Sequence, residues 1–291
     1  MFQQYDIALG PALRGLFPQG IPSETHLRKL IARINTAHGI GLPSWVFGYN
    51  DDGKAMSDRF PCVSFGMNDR SLRITAIGLS ACEVMASSAW KIQAALIKEL
   101  QEPVQMHDRS AAHEIHSVGG APVRYHLRRL CVGKTKPDSF WWRQTKEMSS
   151  NGLPWSDKAK RLLTHMVGNA IYDQAVFLLR DGDTVEGDIG EWLESMGATE
   201  DGPGTRSLRD QFKLRLGINI TGIGDFTAVR STGSQGLRVM LKNVELTTRA
   251  EIAGSWWIGR GRIEGSGVLT RSRRMPVQLR DDEAAQAGEP Q

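Results

Sequence analysis

An α+β fold of two split β-α-β units, the second degenerate, with a helical segment between them, is what the sequence predicts. Three observations predict it. Strand and helix signals alternate over the first 135 or so residues, tryptophans, bases and helical periodicity take over from about residue 139, and β-branched strand signals return beyond Leu208.

Residues 5–9 read as a short strand, followed by a loop punctuated by Gly10, Pro11, Gly15, Pro18, Gly20 and Pro22. Ser23 is placed to cap a helix over 24–37, in which Leu27, Leu30, Ile31 and Ile34 recur at helical spacing and Gly39 supplies the stop. Residues 60–65 and 72–77 form a hairpin through Gly66-Met67-Asn68-Asp69. Ser80 and Glu83 have capping-box spacing ahead of a helix to residue 100, with Met85, Ala89, Ile92, Leu96 and Leu100 on one face. A strand over 123–132 completes the order β-α-β-β-α-β, the split unit of a ferredoxin-like domain. Further on, helices are expected over 157–179 and 189–196. Strands follow over 213–220 and 237–252, with a turn at Thr221-Gly222-Ile223-Gly224. The expected organisation is a ferredoxin-like domain over 1–138, a helical insertion or linker over 139–206, a β-rich ferredoxin-like domain over 207–280, and a disordered acidic tail over 281–291.

With 291 residues, 40% of them hydrophobic, the chain can bury a sizeable core. The formal charge of +4 understates how basic the body is, because Asp281, Asp282, Glu283 and Glu289 all lie in the tail, which holds no base. Such a surplus attracts polyanions, whether nucleic acid or an acidic membrane surface. Cys62, Cys82 and Cys131 are odd in number and form no C-x-x-C pair, which argues against a disulfide framework or a zinc ribbon and for a reducing, cytoplasmic setting. The N-terminus lacks a basic start followed by an apolar run, and no stretch is apolar enough to span a bilayer, so neither secretion nor membrane insertion is expected.

The most informative segment is Gly259-Arg260-Gly261-Arg262-Ile263-Glu264-Gly265-Ser266-Gly267, followed by Arg271, Arg273 and Arg274. Glycines free the backbone to bring its N–H groups against a phosphate while guanidinium groups reach around it. The spacing G-x-G-x-x-x-G is not a dinucleotide fingerprint, and there is no Walker lysine. The alternative is a glycine-rich hairpin with solvated arginines, but residues 230–280 hold 10 bases against 3 acids, which favours binding. A second basic segment carries Arg109, Arg124, Arg128, Arg129, Lys134, Lys136, Arg143 and Lys146. Arg124 and Arg128, two strand periods apart, project from one face with His126 between them. Trp141 and Trp142 offer either stacking surfaces for unpaired bases or ordinary core packing.

These residues resemble the RAMP superfamily of CRISPR proteins, with its RRM-like domains, and in particular the endoribonucleases that cut precursor CRISPR RNA at each repeat. The C-terminal glycine-arginine loop carries the likeness, and the N-terminal order of strand, Gly/Pro loop, helix ending in His38, hairpin and second helix is similar. The long helical middle and the acidic tail depart from the commonest members and point to a divergent variant such as those of type IV systems. The resemblance implies a metal-independent cut beside the repeat stem-loop, with no cofactor. A 2′-OH attacks the adjacent phosphate, leaving a 2′,3′-cyclic phosphate and a 5′-OH, and the protein stays on its product. It also implies other CRISPR effector subunits as partners, and a histidine near the end of the first helix as a proton carrier.

That histidine maps onto His38, at a helix C-terminus where the dipole favours cations. His26 is the second candidate, on the polar side of the same helix. Arg14, Arg28 and Arg33 are candidate transition-state contacts, since divergent members can rely on arginines with the RNA held in line. The expected RNA-binding set is Arg124, Arg128, Arg129, Gly259, Arg260, Gly261, Arg262, Gly265, Gly267, Arg271, Arg273 and Arg274. A different reading of the same features is a non-catalytic RAMP subunit that only binds guide RNA. His107, His113 and His116, with Asp108 and Glu114, raise a metal site for consideration, but no H-E-x-x-H is present and solvated or RNA-contacting histidines are preferred. A G-x-S-x-G nucleophile turn is absent.

Overall fold

The computed structural model describes residues 1–20, 23–50, 52–54, 62–67, 70–135, 140–141, 143–144, 147, 155–198, 205–230, 237–259 and 267–272, with backbone alone at 133–135, 205, 228–230 and 237–238. The expected acidic tail, and with it Arg273 and Arg274, lies outside the described residues, as do Arg260, Gly261, Arg262 and Gly265.

The first half is a four-stranded antiparallel sheet with two helices on one face. Its strands are β1 (Phe2–Ala8), β2 (Val63–Met67), β3 (Ser71–Ile77) and β4 (Met106–Ala111), in the order β2-β3-β1-β4. Helix α1 (Pro11–Gly15) is a short turn. Helix α2 (Glu24–His38) begins where Ser23 Oγ accepts the N–H of His26 at 3.2 Å and ends at Gly39, whose φ of 59° closes the cap onto Asn35. Leu27, Leu30, Ile31 and Ile34 are all buried, in the face their spacing defines.

Helix α3 (Leu79–Leu100) starts differently from expectation. Ser80 and Glu83 form no capping box; instead the carboxylate of Asp181 accepts from Ser80 N–H at 3.0 Å and from Ser80 Oγ at 2.6 Å, capping the helix from 101 residues away. Gly78, at φ 82°, is required there, because a Cβ would lie 2.5 Å from that carboxylate.

The strand over 123–132 does not complete this sheet. That place belongs to β4, whose sequence Met-His-Asp-Arg-Ser-Ala lacks apolar alternation because it is an edge strand exposed along nearly its whole length. After β5 (His113–Ser117), strand β6 (Val123–Thr135) enters a second sheet instead, with β8 (Asn219–Arg230), β9 (Leu237–Thr248) and β11 (Leu269–Arg271) in the order β11-β6-β9-β8. Here β6 pairs antiparallel with β9 and β11. A small third sheet joins β10 (Ala250–Ala253), β5 and β7 (Val185–Glu186).

Helices α4 (Asp157–Arg180), α5 (Asp188–Ser195) and α6 (Thr205–Leu216) follow β6 in the chain, and Leu163, Val167, Ile171 and Phe212 share one core with Tyr125, Leu127, Leu241 and Val244 of the sheet. The segment from Lys213, expected as a strand, is the last turn of α6. The helix prevails because Leu208, Phe212 and Leu216 recur every four residues, Phe212 and Leu216 fully buried, while Leu214 is 78% exposed. Strand β8 runs through the turn expected at residues 221–224, accommodating it as a register shift between Ile220 and Gly222.

The halves are joined by a buried seam. Phe2 and Ile77 pack with Trp257 and Phe177, and His113 sits edge-on between Phe2 and Trp256. The Gln174 side chain accepts Trp257 N–H and donates to Ser255 C=O. Among the described residues no helix is long and apolar enough to cross a membrane.

Candidate nucleic-acid interface

The glycine-rich segment is closed at its base and tied to β6 through Gly267. Gly267 donates to Arg129 C=O at 2.7 Å and accepts from Ile258 N–H at 2.8 Å, while Leu269 N–H donates to Trp256 C=O. Gly259 and Gly267 have φ of 78° and 80°. A Cβ on Gly259 would lie 2.6 Å from Cys131 O, and one on Gly267 1.8 Å from Ile258 O. Both glycines are therefore demanded by the base of the loop, which springs from the backbone of Arg129.

The Arg129 side chain points the other way, to the first half of the molecule: its NH1 donates to Glu24 Oε1 at 2.9 Å, in the first turn of α2. Beside Glu24, Ser23 Oγ lies 2.9 Å from His26 Nδ1 as well as capping the helix. One small hydroxyl thus fixes both the helix start and the imidazole. The loop base, Arg129 and the Ser23-Glu24-His26 turn form one continuous seam between the two halves.

Along β6, Arg124, Arg128 and Arg129 are exposed while Tyr125, Leu127, Leu130 and Cys131 are buried. Strict alternation therefore slips at Arg128 and Arg129, which both face out. The slip is shared by the neighbouring strands: Lys242 and Asn243 on β9 and Gly224 and Asp225 on β8 are also consecutive exposed residues at that level. Asn243 absorbs it with φ 52°. The result is a depression of about 500 Å³ lined by Arg128, Arg129, Thr227, Met240, Lys242 and Asn243. Lys242 lies 3.4 Å from Asp225, whose carboxyl is held below its usual range by the Phe226 N–H and by Lys242. Lys242, Asn243, Ser23 and Glu24 were not anticipated as interface residues. Ser23 had been read only as a cap, and a slip in strand alternation leaves no local sequence signal.

The candidate catalytic residues divide into two groups. His26 and Arg28 lie in the first turns of α2, near Arg129, and Arg28 is half-buried. His38 and Arg33 lie toward the other end, sharing Glu99 of α3: His38 Nε2 is 3.1 Å from Oε1, and Arg33 NH2 is 3.4 Å from Oε2. At roughly 1.5 Å per residue, His26 and His38 are about 18 Å apart along the helix. Arg14 is exposed in the last turn of α1. Arg271, paired in register with Tyr125, is bound by the Glu251 carboxylate.

Trp141 packs between Phe140 and Trp155 against the second core, so it is a packing residue; Trp142 lies outside the described residues. His113 is fully buried, with Nε2 3.1 Å from Ser255 O, and burial, aided by the nearby N-terminal ammonium, pushes its pKa down to about 3. It is a neutral structural ring. His116 sits 3.3 Å from Glu114 and His107 is exposed on β4. Among the described residues no three His, Cys, Asp or Glu side chains are gathered as metal ligands.

Antiparallel sheets backed by helices, in two ferredoxin-like halves, give this chain an α+β fold of the Cas6 kind. Among solved structures, the chain is similar to Csf5, a type IV Cas6 crRNA endonuclease, with TM-score 0.57 and 14% identity over 94% of this chain and 99% of that one. It is also similar to a crystal structure of Cas6b, with TM-score 0.50 and 13% identity over 94% of this chain and all of that one. The sequence profile of the type IV CRISPR-associated endonuclease Csf5 matches residues 21–273, and the chain belongs to that family. No curated protein matches it.

Proposed function

We propose that this chain cleaves CRISPR repeat RNA beside its stem-loop without a metal ion, leaving a 2′,3′-cyclic phosphate and a 5′-OH, and then retains the product for hand-over to effector subunits. The observation that carries this reading is the seam itself. One arginine, Arg129, holds the base of the glycine-rich loop through its carbonyl and the start of α2 through its guanidinium.

The chemistry requires a proton acceptor for the 2′-OH, a donor for the leaving 5′ oxygen and cations for the crowded phosphate. His26 is the proton carrier at this seam. With Nδ1–H donating to Ser23 Oγ, Nε2 takes the 2′-OH proton as base, and the imidazolium so formed gives that proton to the leaving 5′ oxygen and returns to the neutral ring. Arg129, Arg28 and Arg14 supply positive charge, and Arg124, Arg128 and Lys242 hold the phosphates of the stem on the outer face of the second sheet. Peptide N–H groups of the loop complete the phosphate grip.

The test is incubation of the purified chain with its repeat transcript in EDTA, followed by analysis of the ends. The expected result is a single cut whose upstream fragment resists phosphatase until acid opens the cyclic phosphate. Tight binding with no cut would favour a non-catalytic subunit instead.

A further inference from the structure

Away from the seam, on the helix-bearing face of the first sheet, α3 leaves the edge strand β4 uncovered and a slot of about 240 Å³ opens between them. Tyr5, Gln93, Met106 and Asp108 line it, with Trp90 at its mouth. Three features of the slot are unexplained by folding. Trp90 is 64% exposed, an unusual state for so large an apolar ring. The Tyr5 hydroxyl is buried, with the residue only 3% exposed, and has no hydrogen-bond partner. Asp108, whose charge adds to burial in pushing the Tyr5 phenol upward, has no cation paired with it among the described residues. A buried hydroxyl with no partner destabilises the fold unless something satisfies it.

The backbone of β4 says what kind of molecule does so. Ala8 N–H donates to Gln105 C=O, which fixes the phase of the ladder: Gln105, His107, Arg109 and Ala111 bond toward β1, and Met106, Asp108 and Ser110 turn their N–H and C=O groups to the open edge. Neither proline nor a bulge protects that edge, and no described strand pairs with it. The residues offering free main-chain groups include Met106 and Asp108, which line the slot.

We infer that the β4 edge and this slot form a docking site for an extended segment of a partner protein, which adds as a fifth strand and places an arginine side chain in the slot. The guanidinium donates in fork geometry to the Asp108 carboxylate and to the Tyr5 oxygen, and its plane stacks on Trp90. The indole already hosts one cation, since Lys91 Nζ lies 5.8 Å from its centroid. An unpaired carboxylate in the slot repels phosphates, which sets this surface apart from the arginine-rich seam. The site does not depend on the cleavage reading.

The test uses the full chain and a synthetic peptide of alternating threonine and valine with one central arginine, alongside the same peptide with citrulline, its neutral isostere. Hydrogen exchange is followed by NMR at the amides of Met106, Asp108 and Ser110. The arginine peptide is expected to protect those amides and to bind at least about tenfold more tightly than the citrulline peptide. Asp108→Asn and Trp90→Ala should each remove that preference while repeat-RNA cleavage, or RNA binding if no cleavage is seen, is unchanged. Equal binding of the two peptides, no protection, or protection of these amides by a single-stranded oligonucleotide instead would overturn the proposal.

Discussion

The guanidinium of Arg129 meets the carboxylate of Glu24 at 2.9 Å, tying the central strand β6 of the second sheet to the first turn of the first long helix. The pair is partly exposed, 50% on the arginine side and 18% on the glutamate side, so its own contribution to stability is small. Its importance is positional: it sets a cation beside His26 at the root of the glycine-rich loop.

Replacing Arg129 by alanine should therefore weaken binding of repeat RNA and lower the salt dependence of the binding constant by about one ion. Glu24→Gln should do the opposite, freeing the guanidinium for phosphate and raising affinity. Filter binding or anisotropy across a salt series reads both effects. An unchanged slope in Arg129→Ala would remove this residue from the RNA surface.

Gly267→Ala should be far more harmful than a usual surface change, because it adds a Cβ at φ 80° and 1.8 Å from a carbonyl oxygen. Strain and overpacking together predict a loss of roughly 2–4 kcal/mol, visible as a lower urea midpoint. Gly120→Ala, at an exposed position with nothing within 4 Å of the added Cβ, should leave the midpoint nearly unchanged.

How much of this could be read from the residues alone differs by element. Helix α2 was legible to within a residue because its signals are local: Ser23, the stripe of Leu27, Leu30, Ile31 and Ile34, and Gly39. Strand β4 was not, since an edge strand has no buried face to impose alternation on it. Helix α6 was misread because Leu216, buried as the end of one helical stripe, also falls in a period-two series with Ile218 and Ile220. The capping of α3 by Asp181 was invisible for another reason: it depends on two chain segments 101 residues apart. At the site, charge density singled out β6 correctly as a basic strand, but the shared slip that turns Arg128, Arg129, Lys242 and Asn243 outward together exists only once three strands are paired.

His113 gives the fold a pH dependence whose sign is fixed by its burial. Its pKa falls from 6.5 to about 3 in the folded chain, so below pH 6.5 the unfolded state binds the extra proton and the native state does not. Stability is full above that pH and declines toward pH 3 by up to about 1.4 kcal/mol per unit. The urea midpoint measured between pH 7 and pH 4, compared with His113→Gln, should show a steeper acid decline in the unaltered chain. Parallel profiles would contradict the assignment.

The account stands or falls on which end of α2 carries the chemistry. Single-turnover cleavage and equilibrium binding of repeat RNA should be measured side by side for His26→Ala and His38→Ala. The seam predicts that His26→Ala loses roughly 10²–10⁴-fold in cutting with affinity retained, while His38→Ala, whose ring rests on Glu99, cuts at nearly the original rate. Loss of cutting in His38→Ala with His26→Ala unaffected would contradict it.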